Sequence, residues 1–129
     1  MVTRADIVAA AKAEIGYSRW ADDAAGTKYG RWYAQVTGSP SFGASGVPYC
    51  DMFVSYILSK VGINWVSAYV PSREAQARAR GVLIDKWAVR PGDPMPFDFD
   101  GEGIAQHIGI VDQPPNSAGV FYSIDGNTT

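Results

Sequence analysis

The sequence predicts an α+β fold, with N-terminal helices packed on a small antiparallel sheet. As far as Gly81, apolar residues recur at helical spacing between capping and stop signals. From Trp87 onward the pattern changes to short apolar runs divided by turn residues. Helices first and strands afterwards favour segregated elements. With 129 residues and no repeat or linker, one domain with one core is expected.

The first helix is read from Thr3-Arg4-Ala5-Asp6, an N-cap with an acid in the first turn. Ile7, Val8, Ala11 and Ile15 then share one face, and Gly16 ends it. Residues 17–28 read as loop, with Asp22, Asp23 and Gly26. A short second helix runs through Gly30-Arg31-Trp32-Tyr33-Ala34-Gln35. Residues 37–48 form a turn-rich approach to Cys50. The third helix carries Cys50 to Val61, where Phe53, Tyr56, Ile57 and Lys60/Val61 follow the helical repeat and Gly62 stops it. Ser72, preceded by Pro71, is the expected cap of a fourth helix that Gly81 closes. Arg90-Pro91-Gly92-Asp93 reads as a turn. Strands are then expected over Met95–Phe99, His107–Val111 and Val120–Ile124. Asp100-Gly101-Glu102-Gly103 and Pro114-Pro115-Asn116-Ser117 separate them.

Apolar content of 47% and charged content of 19% describe an ordinary globular chain rather than a disordered or membrane-embedded one. No run approaches the roughly 20 apolar residues of a membrane span. The stretch Ile7 to Ala11 is too brief for a signal-peptide core, so any secretion must use another route. Net charge is −2. The basic residues Arg73, Arg78, Arg80, Lys86 and Arg90 are mixed with Glu74 and Asp85, which reads as a solvated face rather than a nucleic-acid patch. Neither nucleic acid nor membrane insertion is expected, and a monomer is.

The chain has one cysteine, Cys50, and one histidine, His107. A lone cysteine excludes an intrachain disulfide, and the pair is too few for a thiolate–imidazole zinc site. Together they are the thiol and imidazole of nucleophilic catalysis. Cys50 falls where a loop runs into a helix. Unpaired amides and the positive end of the helix dipole there favour thiolate over thiol. A free cysteine is otherwise a small, commonly buried hydrophobe, so position and partners decide between the two readings.

A hairpin centred on Asn116 supplies the partner. It places Val111 opposite Phe121, Gly109 opposite Ser123, and His107 opposite Asp125. Opposed residues share a face, with Cβ atoms about 4.5–5.5 Å apart, close enough for an imidazole–carboxylate hydrogen bond. Asn127 shares that face if the strand continues. Gly109 and Ser123 are small and leave room beside His107 for the helix that begins at Cys50. A one-residue slip destroys the arrangement. Cys50 is then the nucleophile, His107 the base and acid, Asp125 the group that orients the ring, and Asn127 a second orienting or polarising group. The Cys50 amide is the expected oxyanion donor.

Four segments carry a resemblance. They are Thr27-Lys28-Tyr29-Gly30-Arg31-Trp32-Tyr33, Pro48-Tyr49-Cys50-Asp51-Met52-Phe53-Val54-Ser55, Pro91-Gly92-Asp93 through Gln106-His107-Ile108-Gly109-Ile110-Val111, and Ile124-Asp125-Gly126-Asn127-Thr128. In this order the chain resembles the CHAP family, the cysteine- and histidine-dependent amidohydrolases/peptidases of the papain-like and NlpC/P60 group. Asp125 stands where Glu is common, and Tyr49 where Trp is frequent. The resemblance implies a papain-like fold and a peptidoglycan hydrolase. Such an enzyme cleaves either the amide joining muramic acid to L-alanine or a peptide bond of the stem or cross-bridge. It further implies a phage endolysin catalytic domain, made in the bacterial host cytoplasm and acting on the cell wall. Family members usually continue through further strands. The chain therefore reads as a fragment lacking the last of them, linked in the whole protein to a wall-binding domain.

No cofactor is required by this chemistry. Asp98-Phe99-Asp100-Gly101-Glu102 faintly echoes a calcium loop but lacks its length and distal Glu. Asp22-Asp23 is a weaker candidate, and calcium stays open. Trp20, Trp32, Tyr33, Trp65, Tyr69 and Trp87 are core or groove wall. Tyr49 and Trp32 are taken as candidate substrate contacts. Two other readings stand beside the wall hydrolase. One is a cysteine acyltransferase or protease acting on proteins; the other is an inactive virion or structural module of the same fold.

Overall fold

A computed structural model describes residues 2–18, 21–44, 47, 49–81, 88–97, 107–118 and 120–126. Four helices pack on a three-stranded antiparallel sheet, an α+β arrangement. The helices are α1 (Arg4–Lys12), α2 (Lys28–Thr37), α3 (Cys50–Lys60) and α4 (Val70–Ala79), with a short 3₁₀ helix at Pro40–Gly43. The strands are β1 (Pro94–Phe97), β2 (His107–Gln113) and β3 (Tyr122–Asp125), and β2 lies between the other two.

Local chemistry sets the helix starts. The Thr3 hydroxyl accepts from the Asp6 amide and Asp6 reaches back to the Thr3 amide, a closed capping box. The Thr27 hydroxyl caps α2 by accepting from the Gly30 amide, with no reciprocal bond, so α2 begins two residues before the Gly30 expected from sequence. The first helix ends at Lys12, short of Gly16, and Ile15 lies exposed beyond it instead of on the core face. Helix α4 begins at Val70 rather than after Ser72. Pro71 sits inside its first turn, where its missing N–H costs nothing.

Helix α3 is the centre of the molecule. Cys50 through Ser55, with Ile57 and Leu58, are buried, because α1, α2, β2 and β3 all pack against it. Ile108 and Ile110 of β2 join this core. Val111 instead joins Val89 and Met95 in a smaller cluster, with Phe121 packed on it. A helix apolar on nearly every side must be enclosed. No helix among the described residues is long and apolar enough to cross a membrane.

The β2–β3 register differs from the expected one. Gly109 faces Asp125, Ile110 faces Ile124 and Val111 faces Ser123, with an irregularity between Val111 and Gln113. The reason lies in the connection. The Asn116 amide donates to the Val120 carbonyl, and its side-chain oxygen accepts from Ala118 and Val120. The turn is therefore centred further along than Asn116 itself, and Val120 belongs to it rather than to β3. The bulge absorbs the odd residue. From Gly109 to Val111 the net displacement is two residues, so these side chains keep their faces.

Candidate active site

Cys50 is the first residue of α3, preceded by Tyr49, which supplies no side-chain cap. The first-turn amides of such a helix lack intrahelical acceptors and concentrate positive potential at the sulfur. Cys50 is a free, buried cysteine with 8% exposure, and His107 has the same 8%. The two meet: the Cys50 side chain hydrogen-bonds with the imidazole.

His107 opens β2, and its Nε2 lies 3.0 Å from Asp125 Oδ2. With Nε2 held there, Nδ1 is the nitrogen left for proton exchange with the sulfur. Asp125 does not sit directly across from His107, as the sequence suggested; it pairs with Gly109 and reaches diagonally. Gly109 makes this reach available. A Cβ at that position would lie 1.8 Å from Asp125 Oδ1 and 2.7 Å from Asp125 Cγ. The carboxylate thus occupies the space that a side chain on residue 109 would take. The hydrogen bond from Asp125, followed by that with Cys50, outweighs burial and raises the His107 pKa to about 9. Imidazolium is therefore the resident form at neutral pH.

Two networks extend from the neighbours of Cys50 in the chain, Tyr49 and Asp51. On the Tyr49 side, the Tyr49 ring stacks on Tyr29 at 5.6 Å. Gly126 permits β3 to close on both Tyr49 and Phe53, since a Cβ there would come within 2.7 Å of Phe53 Cβ. Tyr29 is the hub, with Phe53 and Tyr56 edge-on to it at 5.2 Å each. Its hydroxyl donates to Glu14 Oε1 at 3.0 Å. Burial acts to raise the Glu14 pKa, but the hydrogen bonds from Lys28 and Tyr29 prevail and lower it. A cleft of about 430 Å³ opens here, with Glu14, Tyr17, Tyr49 and Asp125 in its lining.

On the other side, Asp51 is 1% exposed and ion-paired with Arg73 of α4, Nε to Oδ1 2.5 Å. Arg73 also donates to Ser55 Oγ at 2.6 Å and to the Trp65 carbonyl at 3.0 Å. Ser55 in turn donates to the Ser67 carbonyl and accepts from the Ser67 amide. Burial is the main reason the Asp51 pKa rises, against the pull of Arg73. This network ties α4 to the turn that carries the thiol.

The structure thus brings Cys50, His107 and Asp125 together, with Tyr49 beside them. Asn127 lies outside the described residues, as do Asp98 through Glu102, Trp20 and Trp87. Trp32 packs edge-on against Tyr56 at 5.5 Å and lines neither flanking cleft. Asp22 accepts from Arg31 and Tyr17, both at 2.7 Å, and chiefly the Arg31 hydrogen bond lowers its pKa to about 2. Among the described residues no group of three or more His, Cys, Asp or Glu side chains could hold a metal ion. The Asp51–Arg73 pair and the Tyr29–Glu14 contact were missed from sequence. A carboxylate directly before the apolar Met52-Phe53-Val54 was the available sign of a buried cationic partner. The chain matches no family model, no curated protein and no solved structure.

Proposed function

We propose that this protein is a cysteine-dependent amide hydrolase of the papain-like, CHAP type whose substrate is bacterial peptidoglycan. The observation that carries the chemistry is a single imidazole engaged by Cys50 on one side and Asp125 on the other. The wall substrate rests on the four sequence segments that resemble the CHAP family.

In this reading the Cys50 thiolate attacks the amide carbonyl carbon, and the oxyanion is met by the Cys50 amide at the start of α3. His107 gives its Nδ1 proton to the departing amine as the C–N bond breaks, leaving a thioester on Cys50. The neutral ring then takes a proton from water, whose oxygen displaces the sulfur. The acid is released, and the proton now on the ring restores the thiolate–imidazolium pair. Asp125 holds the ring through Nε2 during both steps.

Clearing of a purified cell-wall suspension, abolished by Cys50→Ala and by prior iodoacetamide, is the expected result. Turnover of protein substrates with none of walls would move the assignment to a protease or acyltransferase. No thiol-dependent turnover of either would leave a structural module.

A further inference from the structure

Beside the Asp51 network lies a second cleft, of about 450 Å³, between α2, the 3₁₀ helix and the start of α4. Its volume is within the range of roughly 300–1,000 Å³ common for small-ligand sites. Tyr33, Phe42 and Tyr69 give it three aromatic rings, and Ser67, Ser72 and Gln76 give it hydroxyl and amide groups. Among the described residues, no charged side chain lines it. The Tyr49-side cleft differs, because Glu14 and Asp125 are in its lining.

The neutral cleft is built rather than incidental. Tyr33 and Phe42 meet edge-on at 4.7 Å. Gln76 is fixed from two directions: its carbonyl oxygen accepts from Trp65 Nε1 at 2.8 Å, and its amide nitrogen donates to Ser72 Oγ at 3.2 Å. Tyr69 stands 65% exposed, leaving a large ring at the rim that the fold itself does not cover. Ser67 joins the cleft to the Asp51–Arg73 pair through Ser55, whose hydroxyl donates to the Ser67 carbonyl and accepts from the Ser67 amide and from Arg73.

Neutral, hydroxyl-rich and aromatic linings suit a sugar. Its C–H face covers an aromatic ring, while its hydroxyl and acetamido groups pair with serine and carboxamide side chains. A peptidoglycan repeat is divided in the same way as the two clefts, with an uncharged glycan and a peptide bearing carboxylates and amines. We infer that the Tyr33–Phe42–Tyr69 cleft is a saccharide subsite. A sugar ring of the glycan strand lies on the Asp51 side of Cys50, with the peptide on the Tyr49 side. The bond presented to the thiolate is then the amide between the lactyl group of muramic acid and the first alanine. Its cleavage leaves a lactyl carboxylate on the sugar and a free amine on alanine. The placement of that bond rests on the wall-hydrolase reading; the saccharide site does not.

The test uses the full chain and the N-acetylglucosamine trimer, a neutral glycan with no scissile amide to the peptide. Saturable binding by calorimetry is expected, weakened about tenfold by Tyr69→Ala and restored by Tyr69→Trp. Tyr69 is exposed, so its replacement leaves the core intact. Absence of saturable binding, or binding that Tyr69→Ala does not change, overturns the subsite. Mass analysis of wall digests then reads the bond: muramic acid with a free lactyl carboxylate and new alanine amino termini are expected. Cuts confined to the peptide overturn the placement while the hydrolase reading survives. Uncut walls together with trimer binding overturn the hydrolase reading and leave the saccharide site standing.

Discussion

Asp125 reaches His107 across Gly109, its carboxylate filling the volume that residue 109 leaves empty. The ring is therefore oriented by a diagonal contact that only glycine permits. Gly109→Ala is expected to fold, because the far end of Asp125 can swing away, and to lose the His107–Asp125 hydrogen bond. Activity on walls should fall by about 10²-fold or more, as when an orienting carboxylate is lost. Circular dichroism that matches the parent alongside unchanged activity would refute this.

His107 is the only histidine in the sequence, so its ring resonances in NMR report the site directly. The titration midpoint is expected near 9, against an ordinary 6.5, with the Asp125 hydrogen bond as the largest cause. In Asp125→Asn the midpoint should move down toward the ordinary value. In the proposed mechanism the imidazolium is the acid for the leaving amine, so the basic limb of wall hydrolysis should move with it.

The same shift links stability to pH. The folded pKa is raised, so the imidazolium's contribution is complete below about pH 6.5 and is lost as pH rises through about 9. Urea unfolding should show stability declining across that window by at most about 3 kcal/mol. His107→Asn should remove the decline; its persistence in that variant would assign the effect to other groups.

Arg73→Met should be among the most damaging changes outside the reacting atoms. It leaves the Asp51 carboxyl 1% exposed and without its guanidinium. Breaking a buried pair from one side costs about 3–5 kcal/mol. Asp51→Leu combined with Arg73→Met should recover much of that loss, because no orphan charge remains. Denaturant midpoints for the two single variants and the double variant form the necessary cycle.

Much of this arrangement was legible in the chain. Thr3 and Asp6 announced the first helix, Gly62 the end of the third, and Arg90 to Asp93 a turn in which the Asp93 amide does bond back to the Arg90 carbonyl. Pairing His107 with Asp125 survived a wrong register, because the error was two residues and alternation has that period. What the pattern did not reveal was the extra residue at the Val111–Gln113 bulge, which goes with a turn whose amides donate to the Asn116 side-chain oxygen rather than with hydropathy. The role of Trp32 was not legible for a related reason: an aromatic at helical spacing fits a groove wall and a core neighbour equally. Contact with Tyr56 is decided by tertiary packing. Asp51 likewise finds Arg73 across 22 residues of sequence, a distance no local pattern spans.

Because the thiol begins the most enclosed of the described helices, any activity that depends on Cys50 and the cooperativity of the fold are joined in one element. Heat should not silence this protein by loosening a peripheral loop while the rest endures. Loss of turnover and loss of the native state should follow one melting curve, so that a variant hardened against unfolding would also keep working to a correspondingly higher temperature.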